Sequence, residues 1–362
     1  MSEDAPTPCV RYGELYTKFD EKIDKIYSHT NILPDQLKFS TGREVLVPRV
    51  GEEPLDFASC SWLSLPDVAI GEMISVYNTE QNPLFVAFYF NAMLKHEFAE
   101  KVEGGNVSNL YYDRLIDIPV KFPSTKEQKL VAWFFDTLNN TITFHKRKLN
   151  GLKELKKGYL QQMFPQVGER VPQMRFAGFT GDWEVRKLGE VVELNPPTSL
   201  PDSFEYVDLE SVIGISLIYH RAESKDTAPS RAQRLAQRGD VFFQTVRPYQ
   251  KNNYLFDLPF DNFVFSTGYA QLRPKIDSYF LLCKIQEKNF VDKVLDRCTG
   301  TSYPAINSTD LSEIEIEISS DKNEQVAIGN FFRSLDTQIA TQQTKLEKLK
   351  QLKAAYLQKM FV

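Results

Sequence analysis

LKKGYLQQMF, residues 155–164, returns as LKAAYLQKMF at residues 352–361, and this recurrence decides the architecture. The repeat is longer than ten residues. EQKLVAWFFDTLNNTITFHKRKLNGLKELKKGYLQQMF begins at Glu127 and EQVAIGNFFRSLDTQIATQQTKLEKLKQLKAAYLQKMF begins at Glu324, a gap-free offset of 197. It sets Leu138, Ile142, Leu149, Leu152, Tyr159 and Met163 opposite Leu335, Ile339, Leu346, Leu349, Tyr356 and Met360, in steps of three and four that make the seam of a coiled coil. Two polar steps also recur, His145/Gln342 and Lys156/Lys353; polar seam residues fix register and partner. Two amphipathic helices in separate cores would have no reason to share them. Ser124 with Glu127 and Asp321 with Glu324 read as capping boxes where the two helices start. Each helix, about 57 Å long at 1.5 Å per residue, needs a partner, so antiparallel packing of the two is expected, with a globular unit at each end.

Outward from the helices the repeat becomes fainter. REVLVPRVG at Arg43–Gly51 is similar to RGDVFFQTVRPYQ at Arg238–Gln250, and GGNVSNLYYDRLIDIPV at Gly104–Val120 to TGTSYPAINSTDLSEIEIEI at Thr299–Ile318. Glu44 falls opposite Asp240 and Leu115 opposite Leu311, both at an offset of 196. EVLVP, VFFQTV, FVFS and IEIEI read as strands, FVAFYFNAMLKHEFAEKV and YFLLCKIQEKNFVDKVLDR as helices. The expected fold is α+β: two mixed domains, 1–122 and 165–320, each ending in a strand that feeds a repeat helix, 123–164 and 321–362.

The bulk composition excludes several classes. With 362 residues, 42% hydrophobic and 25% charged, the chain has the profile of a globular protein of two or three domains. No apolar run approaches the ~18 residues of a membrane span and no signal segment opens the chain, so a cytoplasmic location is expected. Cys9, Cys60, Cys283 and Cys298 lie far apart, against a zinc ribbon or a disulfide framework. The net charge of −5 hides a division: residues 126–164 hold eight basic and three acidic residues (+5), residues 321–362 seven and four (+3), leaving −13 elsewhere. Any contact of the acidic parts with a polyanion must therefore be local and shaped.

The order unit, helix, unit, helix, with PSTKEQ…FFDTLNNTI…KLNGLKELKKGYLQQMFP and VPQMRFAGFTGDWEVRKLGEVVE, resembles the specificity (S) subunits of type I restriction-modification enzymes. PCVRYGELYTKFDEKI near the start is similar to that family's first target-recognition domain. The resemblance implies a non-catalytic DNA-binding subunit. Each recognition domain would read one half of a bipartite site, while the helices set the spacing and dock two methyltransferase (M) subunits, which carry S-adenosylmethionine. Restriction (R) subunits would be further partners. One departure is that the junction Val171–Val191 has no counterpart before the first unit, so the first domain is expected to be shortened at its start. A second reading follows: a half-site or decoy subunit that dimerises or binds M subunits without reading the first half-site.

Fragments that suggest catalysis have plainer readings. Asn195-Pro196-Pro197 resembles the catalytic loop of amino-methyltransferases, but Thr198 stands where the base-stacking aromatic belongs and no glycine-rich donor loop accompanies it; a turn is expected. Pro201-Asp202 with Glu223-Ser224-Lys225 matches a PD…ExK nuclease pattern by spacing and reads as polar loop. His29, His96, His145 and His220 are scattered, and no metal site is expected. DNA contacts are expected from Arg231, Arg234, Arg238, Gln244, Arg247, Tyr249, Lys251, Asn252 and Asn253, since Arg and Lys suit guanine edges and Asn and Gln adenine edges. The loops at Gly300, Thr301, Ser302 and Tyr303 and at Gly104, Gly105, Asn106, Val107 and Ser108 could bring NH groups to phosphate. Arg11, Tyr12, Lys38, Arg43 and Arg49 complete the set in the first domain.

Overall fold

The two repeat helices run Thr125–Gln162 and Lys322–Met360 in the computed structural model, which describes residues 5–105, 108–300 and 302–361. The chain divides into two units, residues up to 146 with those from 344 onward, and residues 147–343, so each unit holds half of each helix. In unit 1, Phe134 meets Tyr356 edge to face at 5.1 Å and Phe135 stacks on Phe361 at 5.7 Å. In unit 2, Tyr159 meets Phe331 edge to face at 4.9 Å. The helix segments are therefore antiparallel within each unit, and the Tyr–Phe contacts mirror one another through the offset of 197.

The seam follows the sequence pattern. Leu138, Leu149, Leu335 and Leu346 are buried, and Ile142, Leu152, Tyr159, Ile339 and Leu349 are half-buried. The lysine steps meet carboxylates: Lys156 pairs with Asp336 at 2.6 Å. At the mirrored step Asn139 replaces the aspartate, and Glu21 takes Lys353 at 2.8 Å and Asn139 at 2.8 Å. Two seam residues depart from expectation. Tyr356 and Met360 are 38% and 39% exposed, whereas Met163 is 3% exposed. The capping boxes are also half corrected. Ser124 Oγ accepts from Glu127 N at 3.4 Å and Asp321 from Asn323 N at 2.8 Å, but the Glu324 carboxylate, fully buried, turns to Arg175 and Trp183 instead of back to the start of its helix.

The two units share the first sheet and three strands of the second. In unit 1 a sheet of order Ser28–Thr30, Thr7–Val10, Pro66–Ile70, Lys38–Thr41 matches the unit 2 order Arg221–Ser224, Ser203–Val207, Phe263–Ser266, Ala232–Leu235, with a parallel inner pair in each. In the second sheet Ser61–Leu63, Glu44–Pro48 and Ile74–Asn78 of unit 1 match Tyr254–Leu255, Val241–Gln244 and Tyr269–Pro274 of unit 2, while Lys22–Ile23 is added beside the first of these in unit 1 and Val192–Leu194 beside the last in unit 2. The strands at Glu44 and Val241 are continuous apolar runs because both faces are covered, with Val45, Leu46, Val241, Phe242 and Phe243 fully buried. A buried acid opens each. Glu44 accepts from the backbone NH groups of Thr41, Gly42 and Arg43, and Asp240 from Gln237 N. Burial pushes the Glu44 carboxyl up, but the hydroxyl and NH of Thr41 and the neighbouring amides outweigh it and hold the group below its ordinary range.

Both long helical readings break in two. Pro83–Met93 is followed by Lys95–Glu100, and Ser278–Gln286 by Lys288–Leu295. The expectation that both units end in a strand holds only for unit 2. There Glu315–Ile318 pairs with Glu184–Lys187, burying Ile316 and Ile318. The corresponding residues 119–122 form no strand, and Val120 and Phe122 instead pack, half-buried, on the core of unit 1. A strand lacking a ladder partner has nothing to bond its backbone.

The break at Glu287 sits against a buried charge cluster. Lys284, 1% exposed, donates to Glu317 at 2.9 Å and Glu287 at 3.2 Å, and Lys293 reaches Glu317 at 3.2 Å. Burial pushes the Glu287 carboxyl up to about 7. Its folded value exceeds its unfolded one, so its contribution to stability is full below about 4.5 and is lost as the pH rises through 7. Glu287→Gln, which mimics the protonated acid, should match the wild type near pH 4 and become more stable than it by about 3 kcal/mol near pH 8.5, at about 1.36 kcal/mol per tenfold shift in proton affinity. Urea denaturation across that range checks this; a difference that stays constant with pH would refute it.

Candidate nucleic-acid interface

The strand Val241–Gln244 and its partner Tyr254–Leu255 form a hairpin whose loop carries Arg247, Tyr249, Lys251, Asn252 and Asn253 of the expected contact residues. Two of these sit in the left-handed region, Arg247 at φ 54° and Lys251 at φ 56°, on either side of the 3-10 turn Pro248–Gln250. Such conformations cost of order 1–3 kcal/mol each and persist where the surroundings over-determine them. The surroundings here are a second loop. Ile306 N donates to Thr245 O at 3.1 Å, Arg247 N donates to Pro304 O at 2.7 Å, and Val246 bridges Ala305. The result places the Arg247 guanidinium 4.2 Å from the ring centre of Tyr303, which is 62% exposed. An arginine stacked on a tyrosine is pre-organised, and its NH edge remains free to fork onto a guanine or a phosphate. Tyr249, 50% exposed, and Ser302 lie on the same pair of loops.

Unit 1 builds the same rim at an offset of 196. Leu110 N donates to Arg49 O as Ile306 N does to Thr245 O, Val50 pairs with Asn109 as Val246 with Ala305, and Glu103 pairs with Asn109 as Thr299 with Ala305. The glycines that lead the two loops, Gly104 at φ 126° and Gly300 at φ 87°, need the freedom that only glycine has. Asn106 and Val107, and Thr301 in the other loop, lie outside the described residues. Here too an arginine lies over a tyrosine, Arg49 at 5.4 Å from the ring centre of Tyr111. Sequence reasoning does not single out Tyr111, and the repeat carries no signal for it, since Arg49 and Tyr111 stand opposite Thr245 and Asn307 at the offset of 196.

Several expected residues are placed elsewhere. Gln244 and Asn253 are 2% and 1% exposed and brace the hairpin from inside: Gln244 N donates to Asn253 Oδ1 at 2.9 Å and Gln244 Nε2 to Gln250 Oε1 at 2.9 Å. Asn252 Oδ1 accepts from Gly214 N, and Lys251 Nζ donates to the Gln286 carbonyl, with burial lowering the lysine's proton affinity. Ser108 is buried in the ladder with Gly51. Arg234 lies within the strand Ala232–Leu235, and burial lowers its proton affinity. Arg231 is exposed, its carbonyl accepting from Thr267 N beside the Thr245–Gly268 contact, so it adjoins the Arg247 rim. Arg238 and Arg43 are exposed just before the strands whose far ends lead to Arg247 and Arg49, a strand length away. Arg11 and Tyr12 begin a short helix, and Lys38 and Arg49 share a cavity with Tyr111.

The fragments suggestive of catalysis are structural. Asn195 takes φ 50°, accepts from Gln271 N at 2.9 Å and donates to Ser308 Oγ at 2.8 Å, so its amide braces a strand. Asp202 and Lys225 are joined through their backbones at a hairpin end, and Glu223 pairs with Arg221 at 2.8 Å.

The fold is a duplicated α+β unit with antiparallel helix segments in each copy. The chain belongs to the family of the type I restriction modification DNA specificity domain, whose profile matches residues 70–154 and 180–351. It is 22% identical over 284 residues to the type I restriction enzyme MjaVIII specificity subunit of Methanocaldococcus jannaschii, covering 73% of this chain and 66% of that one. It is 23% identical over 258 residues to the EcoDI specificity subunit of Escherichia coli, covering 62% and 57%. The chain thus spans less than two thirds of either relative. The crystal structure of the type I restriction-modification system S subunit from M. genitalium shares the fold, with a TM-score of 0.63, 15% identity, and coverage of 99% of this chain and 93% of that one.

Proposed function

We propose that this chain is a DNA-specificity subunit of a type I restriction-modification assembly. It contributes recognition and no chemistry of its own: each unit reads one half of a bipartite target, and the repeat helices set the gap and dock two methyltransferase subunits. The observation that carries this reading is the recurrence of the rim: three backbone pairings at one offset hold a glycine-led loop in each unit, with an arginine over a tyrosine nearby in both, though at different positions of the repeat. Two such rims in one chain suit a ligand that is itself met at two places. The basic charge of the helices suits a phosphate backbone between them. No helix among the described residues is long and apolar enough to cross a membrane.

Co-expression with the methyltransferase partner, followed by mapping of methylated adenines in host DNA, tests the proposal. A bipartite asymmetric motif is expected. A palindromic motif would mean that one unit reads DNA in a dimer, and the absence of any motif would refute a reading role. Within unit 2, Arg247→Ala is expected to cost ~1–3 kcal/mol of binding and to relax one position of one half-site. An equal loss on every sequence, with a shallower salt dependence, would make Arg247 a phosphate contact instead.

A further inference from the structure

Between two strands of its first sheet, Ser203–Val207 and Arg221–Ser224, unit 2 builds a second hairpin, Val212–Ile213 paired with Ser216–Leu217. Its turn is Gly214-Ile215, with Gly214 at φ 63°, the conformation a tight hairpin asks of its first turn residue. The inner face is anchored. Val212, 1% exposed, and Leu217 pack on the core around Phe242 and Phe265, and Ile215 packs on the core that holds Val241 and Phe243. At the base Ile218 N donates to Ser211 O at 2.8 Å, and at the tip Gly214 N donates to Asn252 Oδ1 at 2.8 Å. Asn252 belongs to the Arg247 loop, so the tip is fixed against the rim. Strand alternation turns the neighbour of Val212 outward: Ile213 is 62% exposed, and Ile218, diagonally across the pair, is exposed beside it. A braced element next to an arginine-bearing loop thus presents aliphatic side chains with neither donor nor acceptor.

In unit 1 the place between the matching strands, Thr7–Val10 and Ser28–Thr30, is taken by a different element, the helix Tyr12–Thr17. It too touches the rim, since Tyr16 OH donates to Val50 O at 3.0 Å, beside Arg49. Its exposed side chain is Tyr12, which carries a hydroxyl where Ile213 carries none. The backbone pairings of the rim recur in both units, and the element that flanks them does not.

We propose that Ile213 is a specificity-determining residue of unit 2, making an apolar contact with the C5-methyl of a thymine next to the position that Arg247 meets. Units that read different half-sites bring different groups to the bases, and the flanking element is where these two differ. Base edges in the major groove present donors and acceptors, and the thymine methyl is the apolar group among them. An aliphatic side chain lowered onto any other edge would strip water from polar groups and return no hydrogen bond. Ile213 therefore selects an A·T pair in one orientation. The inference rests on the DNA-reading role proposed above and names part of its chemistry.

The test uses the full chain purified with its methyltransferase partner, and duplexes carrying the motif mapped from host DNA. In each duplex a single thymine is replaced by deoxyuridine, which removes the C5-methyl and leaves every hydrogen-bonding group in place. One such replacement, within one half-site, should weaken wild-type binding about fourfold, the value of one methyl taken out of water. Ile213→Ala should bind the thymine duplex at least as weakly as that and lose nothing further on the deoxyuridine duplex, the coupling expected of two groups in contact. Ile213→Val, which keeps the branch at Cβ, should retain most of the methyl effect. Both variants should read the other half-site as the wild type does, which shows that they are folded. A motif in which no thymine responds, or in which one responds equally in Ile213→Ala and the wild type, would overturn this contact and leave DNA reading standing. The absence of any motif would overturn both.

Discussion

Replacing Arg175 by alanine should cost unit 2 about 3–5 kcal/mol, the loss expected when one member of a buried ion pair is removed and the other charge is left without a partner. The pair is bidentate, the Glu324 side chain is fully buried and that of Arg175 only 14% exposed. Removing the guanidinium leaves Glu324 with the Trp183 indole NH at 3.2 Å and no opposing charge. Arg175 also donates to the carbonyls of Gly181 and Thr180, closing the loop that leads into the strand Glu184–Lys187, so the loss reaches the sheet beside it. The double variant Arg175→Ala with Glu324→Gln should recover part of the loss, because a buried amide needs no counter-charge. Trp183, 1% exposed and against Phe164 and Phe280, reports the transition by fluorescence in urea. A loss below about 1 kcal/mol, or no recovery in the double variant, would show that the pair is not the anchor its geometry makes it.

Lengthening both repeat helices by one heptad should widen the gap in the methylated motif by about 3 base pairs and leave both half-sites unchanged. Seven residues at 1.5 Å add roughly 10 Å of helix, and one base pair occupies about 3.4 Å. A whole heptad preserves the seam, as a shorter insertion would not. In unit 2, Tyr159 meets Phe331 and Lys156 meets Asp336, which places Leu152 near Ile339; insertions after these two residues lie at one level and leave both mirrored Tyr–Phe contacts intact. The motif read from co-expressing cells checks the result. An unchanged gap with full methylation would mean that the helices do not set the spacing.

The helices, their seam and the α+β class could be read from the sequence because each rests on periodicity, and periodicity survives divergence. The offset of 197 fixed which residues mirror which, and the rim pairings at 196 follow the fainter repeat through Glu44 and Asp240. What stayed hidden was decided by tertiary partners. Glu324 has the spacing of a capping glutamate, and only the approach of Arg175 from 149 residues away makes it the core of an ion pair. IPVKF has the alternation of IEIEI yet forms no strand, since pairing depends on a neighbour. Gln244 and Asn253 carry the right groups for reading bases, but both are spent inside the hairpin: Asn253 Oδ1 accepts from Gln244 N, and Gln244 Nε2 donates to Gln250 Oε1. The stacking of Arg247 on Tyr303 joins residues from different loops, which no local pattern announces.

Phe361 lies in the core of unit 1, 4% exposed, at 5.3 Å from Phe85 and 5.7 Å from Phe135. This has a consequence for the order in which the protein is made. Unit 2, residues 147–343, is continuous in the chain and can close as soon as its last helical turns leave the ribosome. The sheets of unit 1 emerge first, yet its core is completed by Phe361, which is made only after the whole of unit 2. At ~5–20 residues per second the open core must wait roughly 10–40 s, a period in which the helix Pro83–Met93, with Leu84, Phe85 and Phe88, lacks its closing aromatic. Translation through the second half is therefore the interval in which unit 1 most needs a chaperone, and any extension fused after Phe361 leaves from a buried side chain rather than from a free end.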